Sequence, residues 1–129
     1  MNPPEHSDCI LLFANVGLRD LQLDGRPLPR EQVRAEGERL ATTYRDCQDR
    51  LAAPMLEAAV GHILNRHPGQ RIQSVYLAAT DQDDPKFRVS DTEPCARVLK
   101  MLLKERFTNQ IRLEPVVVKI PESPNRYDK

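Results

Sequence analysis

The spacing of hydrophobic and polar positions changes several times along the chain, and each change predicts a different element. The first apolar run, Cys9 to Val16, is continuous and closed by Gly17. A run without alternation predicts a strand covered on both faces, as in a parallel sheet packed between helices. Leu18 to Pro29 then alternates loosely around Asp24-Gly25, a favoured two-residue turn, and so predicts a small hairpin.

From Arg30 to about His67 the period becomes helical. Val33, Gly37, Leu40, Tyr44, Cys47 and Leu51 recur at steps of three and four and form one stripe. Pro54 lacks the amide hydrogen that a helix interior requires, so the segment divides in two. One helix ends near Leu51; the other starts near Ala53 with Pro54 in its first turn and stops at Pro68-Gly69. Arg71 to Ala79 is a second apolar strand, followed by the polar segment Thr80 to Ser90. A third main helix starts at Asp91-Thr92, either of which can cap it, and presents Val98, Leu99, Leu102, Leu103 and Phe107 on one side. Ile111 to Ile120 is a third strand, and residues 121–129 form a closing loop.

The order strand, helices, strand, helix, strand predicts parallel βαβ units. The expected fold is a Rossmann-like three-layer α/β fold with a mainly parallel sheet, a single domain over residues 1–129. Three principal strands are few for such a sheet. Either the hairpin widens it or the domain continues past residue 129.

Composition narrows the partners. The chain of 129 residues carries 19 Lys+Arg against 19 Asp+Glu, so no net field attracts a long nucleic acid or an anionic membrane. Aromatics at 5% and the absence of Trp argue against stacking platforms for single-stranded nucleic acid. No apolar stretch approaches the roughly 18 residues of a membrane span and the first residues lack signal-peptide character, so a cytoplasmic protein is expected. Cys9, Cys47 and Cys95 stand far apart without a metal-ligand or redox spacing and read as packing residues. His6, His62 and His67 lack a nucleophile motif beside them and read as non-catalytic.

In open α/β sheets, ligands collect beyond the carboxyl ends of the strands. That rule selects Asn15 to Asp20, Thr80 to Asp91 and Pro121 to Asp128. The first loop has one glycine, which excludes the Gly-x-Gly-x-x-Gly dinucleotide fingerprint, and no phosphate-binding Gly-x-x-x-x-Gly-Lys-Ser/Thr loop occurs elsewhere. No cofactor is therefore expected. Arg19 and Asp20 read either as a local ion pair or turn bond, or as ligand contacts. Asp81, Asp83 and Asp84 lack the spacing of a calcium loop, and a solvated turn is the better reading for the last two, so no metal is expected. The exposed amides at the start of the helix after Asp91-Thr92 offer a place for an anion.

These segments together resemble a family. The opening Ile10 to Gly17 followed by Arg19-Asp20, then Tyr76 to Gln82, then Val89-Ser90-Asp91-Thr92 leading into Cys95 to Lys100, and the final Ile120 to Asp128, are similar to the CARF domain, the CRISPR-associated Rossmann-fold sensor. The resemblance spans most of the chain and rests on motif order, each motif being weak alone. It implies a homodimer that binds a cyclic oligoadenylate second messenger in a symmetric groove and regulates a fused or separate effector in type III CRISPR antiviral defence. By position, Asn15, Gly17, Arg19 and Asp20 would line the ligand from the first loop, and Thr80, Asp81, Gln82, Asp91 and Thr92 from the second. Alternatives stay open: a metal-independent ring nuclease that cleaves the messenger, or a Rossmann-like nucleotide-binding or interaction domain. The chain carries no Arg-x(4–6)-His ribonuclease motif and no nuclease carboxylate-lysine set. It is expected to be a sensor portion, or a stand-alone protein whose effector is a separate chain.

Overall fold

The computed structural model describes residues 10–82 and 84–121. In chain order its elements are β1 (Ile10–Asn15), β2 (Gln22–Leu23), β3 (Arg26–Pro27), α1 (Val33–Thr42), α2 (Tyr44–Cys47), β4 (Leu51–Ala52), α3 (Pro54–Arg66), β5 (Ile72–Thr80), α4 (Pro85–Arg88), α5 (Glu93–Arg106) and β6 (Val116–Ile120). The main sheet is parallel, in the order β1-β5-β6, with helices packed against it: an α/β domain of the Rossmann-like type. Among the described residues, no helix is long and apolar enough to cross a membrane.

The central strand β5 anchors the core. Ile72, Val75 and Leu77 are fully buried on it, each burial stabilising the fold by about 1.5–3 kcal/mol. They pack in one cluster with Val98, Leu99, Leu102 and Leu103 of α5 and with Leu56 and Val60 of α3. Helix α5 also meets α1 at close range. A Cβ on Gly37 would lie 3.0 Å from the Cys95 sulfur and 3.1 Å from the Cys95 backbone nitrogen, so glycine is what permits the approach.

The hairpin forms as its turn dictates. Asp24 and Gly25 both take positive φ, +54° and +82°, the requirement of a two-residue turn matched to strand twist. The hairpin does not widen the main sheet. It builds a second small sheet, β3-β2-β4, in which β2 pairs antiparallel with the two-residue strand β4, an element absent from the helical pattern of that segment.

The expected helix from Arg30 to Leu51 is interrupted. The hydroxyls of Thr42 and Thr43 return to the carbonyls of Glu38 and Arg39 at 3.0 and 2.9 Å, competing with the helical ladder, and α1 ends there. Pro54 opens α3 as expected. The third strand is shorter than its apolar run. Ile111 makes an isolated bridge with Ile72, and regular pairing resumes at Val116 only after Pro115, which has no amide hydrogen to donate.

The first strand departs from expectation. It alternates instead of being covered on both faces: Leu11 is 49% and Phe13 70% exposed. Register places Phe13, Tyr76 and Val116 in one row across the sheet, with Asn15, Ala78 and Val118 in the row beside it. The Phe13 and Tyr76 rings stack at 4.7 Å with an interplanar angle of 12°. Register thus brings two of the few aromatic rings together.

Candidate functional site

The parallel sheet sets β1 and β5 side by side, so the loops that follow them meet at one end. The Val16 amide still donates to the Ala78 carbonyl at 2.8 Å, which holds the first loop against β5. Its turn is closed by Asp20, whose carboxylate accepts from the Gly17 amide at 2.6 Å. Asp20 thus makes the local turn bond, while the Arg19 side chain stays exposed. Asn15 and Gly17 are exposed beside it. The same loop reaches the start of α5: burial pushes the Cys95 thiol up to about 12, and the charges of Asp20 and Glu93 add to the effect. Cys95 is a neutral packing thiol, and Cys47 is also buried.

The second loop is built from reciprocal bonds. The Thr80 amide donates to the Thr92 hydroxyl and the Thr92 amide to the Thr80 hydroxyl, both at 3.1 Å. Inside this clasp the Gln82 amide and side-chain nitrogen donate to the two Asp91 oxygens at 2.7 and 2.9 Å. Arg34, from α1, completes the arrangement. Its Nη1 lies 3.2 Å from Asp81 and 3.3 Å from Asp91, and its Nη2 lies 3.4 Å from Glu38. Arg88 of α4 donates to the Gln82 carbonyl at 2.7 Å and approaches Asp81 at 3.7 Å.

Asp91 is fully buried, so its charge needs these donors. A buried carboxylate without them carries a penalty of several kcal/mol. Gln82 and Thr92 are 4% and 3% exposed. The structure therefore brings Thr80, Asp81, Gln82, Asp91 and Thr92 together, but Gln82, Asp91 and Thr92 hold the loop in shape with their side chains. Neither Asp91 nor Thr92 caps α5 through its side chain, because both are engaged across the loop. Asn15, Gly17 and Arg19 are exposed, and Thr80 and Asp81 partly exposed.

Asp84 caps the short α4 by accepting from the Lys86 amide at 2.9 Å, which gives this aspartate the turn role expected of it. Asp83 lies outside the described residues. Among the described residues no group of three or more His, Cys, Asp or Glu is placed to hold a metal. His62 and His67 are exposed on α3 and at its end, while His6 and Cys9 lie outside the described residues. Of the third candidate loop only Pro121 is described.

Arg34 and Arg88 were not singled out by sequence. Arg34 stands 47 and 57 positions from Asp81 and Asp91, and no spacing rule links it to either. Comparison with family models, curated proteins and solved structures gives no match.

Proposed function

We propose that the chain is a cytoplasmic ligand-binding sensor that takes a cyclic oligoadenylate in a two-fold groove between two copies and regulates an effector of type III CRISPR defence. The reading rests on the motif resemblance, and the observation that supports it best is the pairing of a framed loop with an open one at the carboxyl end of β1 and β5. The Thr80–Thr92 and Gln82–Asp91 bonds frame the wall. Asn15, Gly17 and the exposed Arg19 supply an amide side chain, a glycine backbone and a guanidinium.

The chemistry suits a small cyclic phosphodiester. Guanidinium donates to phosphate oxygens through charge-assisted bonds, and an amide side chain offers both a donor and an acceptor to a base edge. A neutral chain does not concentrate long polyanions, so recognition falls to these few groups. Two copies related by a two-fold axis would present the set twice, matching a ring that repeats its own unit. The ligand can signal only by favouring one arrangement of the copies over another.

Calorimetric titration of cyclic tetra- and hexa-adenylate tests this. Arg19→Ala should weaken binding about 10- to 150-fold, the equivalent of one charged hydrogen bond of roughly 1.5–3 kcal/mol. An unchanged affinity in that variant would remove Arg19 from the site.

A further inference from the structure

A groove follows the free edge of β1. The Val16 amide donates to the Ala78 carbonyl of β5, and backbone groups alternate in direction along a strand, so those of Leu12 and Ala14 also turn to β5. The amides and carbonyls of Leu11, Phe13 and Asn15 turn the other way, where among the described residues no strand pairs with them. Leu12, Phe13, Ala14, Asn15 and Val16 all line the groove. Successive side chains of a strand point to opposite faces, so an unbroken run shares one groove only where the groove follows the backbone edge. The far wall is α3, through Met55, Leu56 and Ala59, and Met55 is 75% exposed. The volume is about 240 Å³. A cavity of about 150 Å³ holds benzene, so this groove has room for one large apolar side chain. Free edges are normally blunted by charge, proline or a covering element. From Leu11 to Asn15 this edge carries neither charge nor proline.

We propose that the groove binds an extended segment of a partner protein as a fourth strand of the main sheet, with an apolar side chain against Leu12, Ala14 and Leu56 and a basic residue two positions from it. In strand addition, main-chain hydrogen bonds give affinity and pockets under alternate side chains give specificity. The outward groups of Leu11, Phe13 and Asn15 supply the bonds, and the apolar walls select the first side chain. Charge selects the second. Among the described residues, Asp20 alone brings a charge to the lining. Its Oδ2 accepts from the Gly17 amide, which leaves Oδ1 to accept from a lysine or arginine. Side chains on one face of a strand recur at every second residue, which sets the spacing of the pair. A second copy of β1 brings no such cation, because Ile10 to Val16 is uncharged. The site needs no cyclic nucleotide and goes beyond the sensor reading.

The test selects binders from a displayed library of random decapeptides on the immobilised full chain and measures the enriched peptide by fluorescence anisotropy. Enriched sequences should share an apolar residue and a lysine or arginine two positions apart. Methylating the peptide amides at alternate positions should split them into two sets. The set that faces β1 should weaken binding about 5- to 150-fold, the loss of two backbone hydrogen bonds, and the other set should leave it nearly unchanged. Ala59→Phe, which fills the groove from α3, should abolish binding while the circular dichroism spectrum stays native. Asp20→Asn, which keeps an acceptor for the Gly17 amide, should weaken binding about 2- to 5-fold and erase the preference for the basic residue. No enrichment, equal loss from both methylation sets, or binding unmoved by Ala59→Phe would overturn the proposal. So would self-association of the chain that Ala59→Phe disrupts, since a second copy would then occupy the groove.

Discussion

Replacing Asp91 by alanine removes the centre of the bonded loop. The carboxylate is fully buried and accepts from the Gln82 amide at 2.7 Å, the Gln82 side chain at 2.9 Å and Arg34 at 3.3 Å. Arg34 retains Asp81 and Glu38, so its own loss is small. Gln82, 4% exposed, would lose the acceptor for two donors, each costing about 1–3 kcal/mol when left buried. The total is about 3–5 kcal/mol, the range found when one partner of a buried charged pair is removed. For a chain of this size, 1 kcal/mol moves the melting temperature by roughly 3–5 °C, so the expected fall is about 10–20 °C. Urea unfolding followed by far-ultraviolet circular dichroism gives the free energy directly, with an unchanged slope showing that compactness is preserved. Asp91→Asn keeps the shape and one acceptor and should cost about half as much. A loss below about 1 kcal/mol for Asp91→Ala would refute the bonded-loop argument, because no buried donor would then have been left unpaired.

Two glycine substitutions should act in opposite directions. Gly37→Ala forces a Cβ to 3.1 Å from the Cys95 backbone nitrogen; overpacking of about 1–3 kcal/mol, offset by a helix-propensity gain of about 1 kcal/mol, leaves a net loss of up to about 2 kcal/mol in urea unfolding. Gly61→Ala, in α3 where the new Cβ meets nothing within 4 Å beyond its chain neighbours and its own helix backbone, should stabilise by about 0.5–1 kcal/mol. Burial raises the Cys95 thiol to about 12, so it is protonated at pH 8. Peptide mapping after iodoacetamide treatment at pH 8 should find it unmodified in the native protein and modified in urea.

The elements legible in the sequence were those governed by local chemistry. Asp24-Gly25 predicted its turn because few residues accept positive φ, and Pro54 marked the start of α3 because it lacks a donor. The parallel order followed from alternating strand and helix signals. What was not legible depends on residues far apart in the chain. The run from Cys9 to Val16 looks the same whether one face or both is covered, and the exposure of Leu11 and Phe13 is decided by what packs against the sheet. The composition of Thr80 to Thr92 marked a polar loop at the right end of the sheet. It could not show that Gln82, Asp91 and Thr92 turn inward, because the arginine that helps neutralise Asp91 comes from α1. The Gly17-Asp20 turn bond, one of the alternatives that the sequence offers for Asp20, is local and spans three residues.

The central claim is that this chain responds to a cyclic oligoadenylate, and a melting curve tests it directly. The chain is melted alone and with excess cyclic tetra-adenylate, cyclic hexa-adenylate, ATP or NAD. At one hundred times its dissociation constant a specific ligand adds about 2.7 kcal/mol, a rise of roughly 8–13 °C at this size. That rise is expected with one of the two rings and not with ATP or NAD. Two unshifted curves with the rings would contradict it.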